Sequence, residues 1–246
     1  MGLIYGINPV KELLRRRPTE AKEILTCRKE PGLEEILRLA EKTGVRMRFV
    51  SRGELDQLTA TLEHQGIAAK APLPGPVALE DILQKAAKAT NALLVFLDQV
   101  ADPQNLGAVL RSAECAGACA VVVPERRSAG ITPAVLKASA GALEWMPLSV
   151  VTNLVRGLEQ AKEAGFWTYA ATASAKAGIW QTKFSEKSVM VLGSEGKGIR
   201  PLVQKSCDFE VSIPMAGKIS SLNISAAAAV MFYEFRRQFP ETTAKG

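Results

Sequence analysis

Three glycine-containing segments of the sequence carry polar side chains that could serve chemistry. NLGAVLRSAECAG contains Asn105 and Arg111, LGSEGKGIRP contains Glu195, and IPMAGKISSLNISAAAA contains Ser221 and Asn223. The guanidinium fork of an arginine matches the oxygens of a phosphate. A carboxylate among glycines would repel a pyrophosphate, but it can accept hydrogen bonds from a hydroxyl or an amine. Considered singly, each segment also has a plain structural interpretation: a surface ion pair for Arg111, a helix cap for Asn105 and a solvated side chain for Glu195.

The glycine-rich segment does not predict a nucleotide-phosphate loop. Its glycines at 193, 196 and 198 have the order G-x-x-G-x-G. This is neither the G-x-G-x-x-G fingerprint of dinucleotide-binding folds nor a P-loop. The chemistry of this segment must therefore come from its side chains and its shape.

Alternating strands and helices must position these segments. Apolar runs after residue 90 are typical of buried parallel strands, and helical segments of crossover length separate them. Ligand sites in such sheets lie beyond the carboxyl ends of the strands, so the important loops follow Asp98, Val123, Ala171, Leu192 and Ile213. The predicted strands are NALLVFLDQV, ACAVVVP, FWTYAAT, SVMVLGSE and DFEVSIPM.

The N-terminal third predicts a smaller α/β unit. The strand LIYG precedes a helix that Asn8 would cap, with Pro9 in its first turn. AKEILTC and VRMRFVS are strand candidates on either side of the amphipathic helix GLEEILRLAEKTG, which would end at Gly44. The proline-rich stretch PLPGPVALED can continue neither kind of element, so we place a boundary near residues 71–80.

Composition excludes several classes of protein. The only histidine, His64, lies near no nucleophile motif, which argues against a Ser-His-Asp or Cys-His hydrolase. The 4 cysteines form no CxxC pair, so we predict free thiols and no metal site. No apolar run approaches the roughly 20 residues of a membrane span, and the N-terminus lacks a secretory pattern. We therefore expect a cytoplasmic protein without a membrane partner. The net charge of +6 favours an anionic partner.

The three segments together, in this order and spacing, resemble the three motifs of the SpoU (TrmH-type) RNA 2′-O-ribose methyltransferases of the SPOUT class. YGINPVKELL and HQGIAAK resemble the small L30e-like substrate-binding domain of the RlmB-like branch, which methylates a guanosine of 23S rRNA. The resemblance implies an α/β fold in three parts. These are an L30e-like domain at 1–72, a linker and leading helix at 73–88, and a trefoil-knot domain with a mostly parallel sheet at 89–246.

The resemblance further implies an S-adenosylmethionine-dependent enzyme whose active site is completed in a homodimer. The catalytic set of the family falls on Asn105, Arg111, Glu195, Ser221 and Asn223. Its cofactor contacts fall on Thr172, Gly193, Ile213 and Leu222. The N-terminal domain would bind folded RNA by shape and phosphate contacts. The candidates for these contacts are Arg15, Arg16, Arg17, Arg46 and Arg48.

Two questions stay open at this point. Arg111 could act as the base that takes the proton of the ribose hydroxyl, or it could clamp the adjacent phosphate, because a guanidinium normally keeps its charge. The motifs serve cofactor and ribose, so they do not separate an rRNA substrate from a tRNA substrate. A non-catalytic RNA-binding or ribosome-assembly protein of the same fold is the third alternative, although Arg111, Glu195 and Asn223 are all present.

Overall fold

The computed structural model describes residues 2–28 and 32–240. The chain divides into two compact units. The first comprises Met1–Gly75 together with Ile131–Trp145, and the second comprises Pro76–Gly130 together with Met146–Gly246. Among the described residues, none of the helices has the length and apolar character that a bilayer span requires.

The first unit is built on a four-stranded sheet with strand order β1-β4-β2-β3. Strands β2 and β3 run parallel, whereas β4 is antiparallel to β1 and to β2. The elements in chain order are β1 (Gly2–Tyr5), α1 (Ile7–Arg16), β2 (Glu23–Thr26), α2 (Glu34–Thr43), β3 (Arg46–Phe49), α3 (Arg52–Thr59) and β4 (Ile67–Ala71). The strands and helices predicted for this third of the chain are confirmed, and α3 and β4 are additions.

The ends of the first two helices depend on glycines. Helix α1 begins at Ile7, so the prediction that Asn8 caps it is wrong. The cap position belongs to Gly6, whose φ of 99° is readily accessible only to glycine and whose N–H donates to the carbonyl of Ile67 at 3.1 Å. Gly44 ends α2 in the left-handed conformation with φ of 71°, as the sequence predicts.

The second unit is built on a six-stranded sheet with strand order β10-β8-β9-β5-β6-β7, in which every neighbouring pair is parallel. Strands β5 and β9 lie near its centre, and β5 is buried along its whole length. The remaining elements in chain order are α4 (Leu79–Ala86), β5 (Ala92–Asp98), α5 (Pro103–Cys115), β6 (Ala120–Pro124), α6 (Pro133–Ala138), β7 (Leu148–Val151), α7 (Leu154–Glu163), β8 (Trp167–Ala171), β9 (Lys187–Gly193), α8 (Pro201–Lys205), β10 (Phe209–Val211) and α9 (Ile224–Gln238).

The prediction of a parallel sheet in this part of the chain is confirmed. All five predicted strands are present, and β7 adds a sixth at the edge of the sheet. The sequence analysis missed β7 because its four residues LSVV are only partly buried and give no long apolar run. The trefoil knot stays a prediction.

A segment from the middle of the chain belongs to the first unit. Residues 131–145, which the predicted boundaries place in the domain at 89–246, cluster with residues 1–75. Val135 and Leu136 of α6 are buried in this unit. The segment ends in a 3-10 turn, Ala142–Glu144, that packs on α1. The core of the first unit is therefore assembled from two separate stretches of sequence.

An ion pair links these two stretches. The side chain of Glu144 is 0% exposed, and its two oxygens accept hydrogen bonds from Arg17 Nε at 2.7 Å and Arg17 Nη2 at 2.9 Å. The hydrogen bond with Glu144 raises the pKa of Arg17. A buried carboxylate is tolerated only when it is paired and hydrogen-bonded, so this contact holds the segment in place.

We expect Arg17→Lys to lower the free energy of unfolding by about 1–2 kcal/mol, because an ammonium cannot reproduce the two parallel hydrogen bonds to Glu144. Urea unfolding of the whole protein measures this change. Arg16→Lys is the matched control, since Arg16 is the preceding residue and lies exposed over the ring of Trp145. Equal stability of the Arg17→Lys variant and the native protein would show that the pair does not support the unit.

Candidate active site

A cleft of about 550 Å³ lies in the second unit, where β8, β9 and β10 end. The last residues of these strands, Ala171, Gly193 and Val211, all line it. Parallel strands present their carboxyl ends at one edge of the sheet, which is the usual place for a ligand in open α/β folds. The loops that follow β9 and β10 complete the walls.

The four predicted cofactor residues meet in this cleft. Thr172, Gly193, Ile213 and Leu222 all line it. Thr172 is fixed by its N–H, which donates to the carbonyl of Val211 at 2.9 Å. The structure therefore brings together residues that are spread over 50 positions of sequence, from Thr172 to Leu222.

Gly193 is required by a close approach of the backbone. A Cβ atom added at this position would lie 2.0 Å from the carbonyl carbon of Gly198 and 2.2 Å from the nitrogen of Ile199. These are main-chain atoms, which cannot move aside as a flexible side chain would. The loop also closes on itself, because the N–H of Gly198 donates to the carbonyl of Ser194 at 2.9 Å. The absence of a side chain at Gly193 thus allows the loop to fold over the end of β9.

Three of the five predicted catalytic residues form one hydrogen-bonded cluster. Asn105 Nδ2 donates to Glu195 Oε1 at 3.3 Å, and Asn223 Nδ2 donates to the same oxygen at 2.5 Å. Asn223 Nδ2 also lies 3.0 Å from Asn105 Oδ1. The N–H of Ile224, at the start of α9, gives Glu195 Oε1 a further donor at 3.4 Å. Within the described residues, Glu195 Oε2 makes no hydrogen bond, so one carboxylate oxygen is fixed and the other can accept a bond from a substrate.

Two helix caps hold this cluster in place. Asp102 caps α5 by accepting from the N–H groups of Gln104 and Asn105, so the side chain of Asn105 is not used as a cap. Asn223 caps α9 through Oδ1, which accepts from the N–H of Ser225 at 2.9 Å. The amide of Asn223 therefore has two functions, because its oxygen caps the helix while its nitrogen binds Glu195.

We expect Asn223→Ser to separate these two functions. A serine still caps a helix, so the free energy of unfolding should change by less than about 1 kcal/mol. It cannot reach Glu195 with an amide donor, so we expect the rate of any reaction at this site to fall at least about 10-fold. Thermal unfolding and a methyl-transfer assay on the same preparation measure both effects.

Asn153→Ser is the matched control, since Asn153 caps α7 in the same way without belonging to the cluster. A rate that stays unchanged would remove Asn223 from the site.

Ser221 and Arg111 are not part of the hydrogen-bonded cluster. Ser221 lines the cleft next to Leu222, and it makes no hydrogen bond to a described residue. Arg111 is exposed on α5, and nothing among the described residues pairs with its guanidinium. Within one chain, the structure thus shows no contact between Arg111 and Glu195.

An ion pair between a buried aspartate and a partly exposed arginine, which the sequence analysis missed, fixes the far end of the loop after β9. Asp98, the last residue of β5, is 0% exposed. Its Oδ1 accepts from Arg200 Nη2 at 2.8 Å, and its Oδ2 accepts from the N–H of Arg200 at 2.8 Å. The signal for this pair is the aspartate at the end of the apolar run ALLVFLD, because a charge in such a place needs a partner.

The predicted RNA-binding arginines all lie in the first unit, and their side chains differ in availability. Arg15 binds Glu12 and Glu35, Arg17 binds Glu144, and Arg48 binds Glu54 at 3.0 Å. The guanidinium of Arg16 lies 5.2 Å from the centre of the Trp145 ring, a cation–π arrangement. Arg46 is exposed on β3 and forms no ion pair with a described residue.

The described residues contain no group of three His, Cys, Asp or Glu side chains that could hold a metal ion. His64 is buried and structural, since its Nε2 contacts Asp56 Oδ1 at 2.6 Å and its Nδ1 accepts from the N–H of Gly66 at 2.9 Å. None of the four cysteines, all of which are described, forms a disulfide bond. Burial raises the pKa of the Cys207 thiol to about 12, so this thiol stays protonated at neutral pH.

Two family models match the chain. The model of the SpoU rRNA Methylase family matches residues 92–233, which include the cleft and the Asn105–Glu195–Asn223 cluster. The model described as RNA 2′-O ribose methyltransferase substrate binding matches residues 3–76. The two models together cover most of the chain.

Individual relatives agree with these models. The 23S rRNA (guanosine-2′-O-)-methyltransferase RlmB of Pseudomonas putida is 42% identical over 240 residues, which are 96% of this chain and 96% of that protein. The crystal structure of the SpoU methyltransferase AviRb from Streptomyces viridochromogenes in complex with AdoMet has the same fold. Its TM-score is 0.77 at 24% identity, and the match covers 96% of this chain and 89% of AviRb. The A. aeolicus TrmH/SpoU tRNA modifying enzyme has a TM-score of 0.55 at 28% identity, over 65% of this chain and 83% of that enzyme. The chain therefore belongs to the SpoU rRNA methylase family.

Proposed function

We propose that this protein transfers a methyl group from S-adenosylmethionine to the ribose 2′-hydroxyl of a guanosine in 23S rRNA. The observation that carries this proposal is the Asn105–Glu195–Asn223 cluster beside the cleft, in a chain of the SpoU rRNA methylase family. A non-catalytic RNA-binding protein of the same fold would have no need for a carboxylate oxygen held by three donors. The cluster therefore favours an enzyme.

The choice of rRNA over tRNA rests on the first unit. The relatives that act on 23S rRNA match nearly the whole chain, including the substrate-binding region at 3–76. The tRNA-modifying enzyme matches only about two thirds of it. The extra RNA-binding region favours a large, folded substrate, which proteins recognise by shape and by contacts along the phosphate backbone.

The cleft suits S-adenosylmethionine in size and chemistry. Its volume lies in the range of about 300–1,000 Å³ that is typical of cofactor sites. Leu192, Ile213 and Leu222 give it an apolar wall, and the loop 193–198 offers main-chain N–H and C=O groups. Gly193, Ile213 and Leu222 would hold the cofactor, with Thr172 at the rim. When bound, the cofactor supplies an electrophilic methyl carbon.

The protein's own residues would orient the ribose and control its proton. Glu195 and Ser221 line the cleft, and Glu195 Oε2 and the Ser221 hydroxyl can both form a hydrogen bond with a 2′-hydroxyl. Arg111 would bind the phosphate next to the target ribose, because its exposed guanidinium keeps a planar fork of donors. The reaction needs a positioned hydroxyl and a proton acceptor, and positioning alone contributes several orders of magnitude to such rates.

A homodimer would bring Arg111 to the cluster. In a single chain no described contact joins Arg111 to Glu195, although both match catalytic positions of the family. The second unit also exposes large apolar side chains, Ile219 and Tyr233, which a second copy would cover. We therefore propose that Arg111 of one protomer acts in the site of its partner. The rRNA substrate makes the cytoplasm the proposed location of the protein.

The test is transfer of a tritiated methyl group from S-adenosylmethionine by the purified protein. Protein-free 23S rRNA, 16S rRNA and bulk tRNA, all prepared from a strain lacking the gene, are offered separately. We expect label in 23S rRNA only, and we expect it to survive treatment that removes base methylation. Label in tRNA alone, or in no RNA, would contradict the proposal.

A further inference from the structure

The Asp98–Arg200 pair joins the two segments that carry the polar cluster. Asp98 is the last residue of β5, and in the parallel register it lies opposite Gly193, the last residue of β9. The chain that leaves β9 carries Glu195 and reaches Arg200 just before α8 begins. The chain that leaves β5 enters α5, whose first turn carries Asn105. One aspartate therefore lies at the start of one segment and binds the end of the other.

Four contacts hold Arg200 on Asp98. Nε of Arg200 donates to Oδ1 at 2.9 Å and to Oδ2 at 3.1 Å, and Nη2 lies 2.8 Å from Oδ1. The main-chain N–H of Arg200 donates to Oδ2 at 2.8 Å. The side chain of Asp98 is 0% exposed, whereas that of Arg200 is 45% exposed. Both carboxylate oxygens are thus occupied, and the arginine is fixed through its main chain and its side chain together.

Stability alone does not explain a carboxylate in this position. Asp98 follows the apolar run ALLVFL in a strand that is buried along its whole length. A carboxylate loses its hydration there, and replacing such a pair by apolar side chains is often neutral or stabilising. What the pair adds is direction, because a bidentate contact fixes both the distance and the angle between two groups.

The chain after Asp98 follows a fixed course as well. Gln99 has a φ of 63°, in the left-handed region that residues other than glycine seldom adopt. The carbonyl of Val100, which is buried, accepts from the N–H of Ala129 at 2.9 Å. Backbone strain of this kind persists where the surrounding structure imposes it, and it is concentrated at functional sites. The approach of the chain to Asn105 is therefore as closely determined as the course of the loop after β9.

The distances in the polar cluster tolerate little movement. Asn105 Nδ2 lies 3.3 Å from Glu195 Oε1, which is near the limit of a hydrogen bond. A shift of Glu195 by about 0.3 Å away from Asn105 would break this bond. The loop that carries Glu195 is exposed and has glycines at 196 and 198, so its own residues restrict it little. Its far end is held by Arg200.

We propose that Asp98 and Arg200 are positioning residues for methyl transfer, which act by holding Glu195 at hydrogen-bond distance from Asn105. This inference deepens the proposed function and rests on it. Neither residue needs to touch the RNA or the cofactor in this role. Loss of the pair would let the loop 193–198 move, and a small displacement of a group that orients the substrate slows a reaction strongly.

The test measures methyl transfer by the full chain with Arg200→Ala and Arg200→Lys. We expect Arg200→Ala to lower kcat about 10-fold while KM for the RNA changes less than about 2-fold, because only the reacting groups are displaced. Arg200→Lys keeps the charge but loses the bidentate contact, so its kcat should fall by a smaller factor. If Arg200→Ala does not fold, Arg200→Lys carries the test.

Arg237→Ala is the matched control. Arg237 makes a bidentate contact with the buried carboxylate of Glu234 near the end of α9, outside the polar cluster. The control should lower the stability of the protein and leave kcat unchanged. It therefore shows what the loss of a similar pair does when no catalytic group depends on it.

Free guanidinium ion, at concentrations too low to unfold the protein, distinguishes positioning from general stability. Because the side chain of Arg200 is partly exposed, the ion can reach Asp98 in Arg200→Ala. We expect it to raise the kcat of this variant at least about 3-fold by restoring the contact with the carboxylate. It should have no such effect on the double variant Asp98→Asn/Arg200→Ala or on Arg237→Ala.

Hydrogen–deuterium exchange of residues 193–199 keeps this inference separable from the proposed function. Exchange there should be faster in Arg200→Ala, slow again with guanidinium ion, and stay native in Arg237→Ala. A native kcat in folded Arg200→Ala, or an equal loss in Arg237→Ala, would overturn the inference alone. If the native protein transfers no methyl group, the proposed function fails, and the exchange rates still decide whether the pair holds the loop.

Discussion

Arg111→Lys is expected to slow methyl transfer about 100-fold in a single turnover, because a small misplacement of the reacting groups costs that much. Arg111 lies exposed on α5, and within the described residues it has no ion pair that would hold it elsewhere. A lysine keeps the charge but loses the planar pair of donors that fits a phosphate. The measurement is the rate with enzyme in excess over 23S rRNA and saturating S-adenosylmethionine.

The dependence of this rate on pH separates the two possible actions of Arg111. If Arg111 clamps a phosphate, the lysine variant should be slower by the same factor at every pH. If Arg111 takes the proton, the variant should recover as the pH rises, because an ammonium loses its proton more readily than a guanidinium does. Arg156→Lys, an exposed arginine on α7, is the control and should keep the native rate. Native rates for Arg111→Lys at every pH would exclude both actions.

Gly193→Ala is expected to lower the free energy of unfolding by about 3 kcal/mol, at the upper end of the cost of overpacking. The added Cβ would lie 2.0 Å from the carbonyl carbon of Gly198, so the loop 193–198 must move. That loop lines the cleft and carries Glu195. We therefore expect the affinity for S-adenosylmethionine to fall at least about 10-fold, which is the same as 1.4 kcal/mol.

Urea unfolding and calorimetric titration with S-adenosylmethionine measure these two effects. Gly130→Ala is the matched control, because an added Cβ at Gly130 meets no atom within 4 Å. The control should leave the cofactor affinity unchanged. Native stability together with native affinity in Gly193→Ala would show that the close approach at the end of β9 does not shape the cleft.

The sequence predicts the second unit well because its strands have strong local signals. The runs that form β5 and β6 are almost wholly apolar, and residues 189–192 of β9 are apolar too, which is typical of strands covered on both faces. Short edge strands lack this signal, and β7 was missed.

The sequence also does not show that residues 131–145 belong to the first unit. Apolar residues such as Val135 show that a helix is buried but not which unit buries it. Deletion of residues 1–75 would remove the partners of this segment.

The sequence predicts which residues belong to the site better than it predicts the contacts between them. The motifs point to Asn105, Glu195 and Asn223, but only the fold shows that both amides bind one carboxylate oxygen. The Asp98–Arg200 pair escaped notice because its members stand 102 positions apart and each has an ordinary local explanation. The exposure of Phe49 could not be predicted either, since an aromatic residue in an alternating strand predicts burial. Exposure of a side chain follows from tertiary packing, which local patterns do not contain.

The central claim is that this protein methylates a guanosine ribose in 23S rRNA. The most direct measurement maps ribose methylation across all rRNA and tRNA, by resistance to alkaline hydrolysis, in cells with the gene, without it, and with the Asn223→Ser variant. We predict one 2′-O-methylguanosine in 23S rRNA that disappears without the gene and falls with the variant. A methylation pattern of 23S rRNA that is the same with and without the gene, or a lost site that lies in tRNA, would contradict the account.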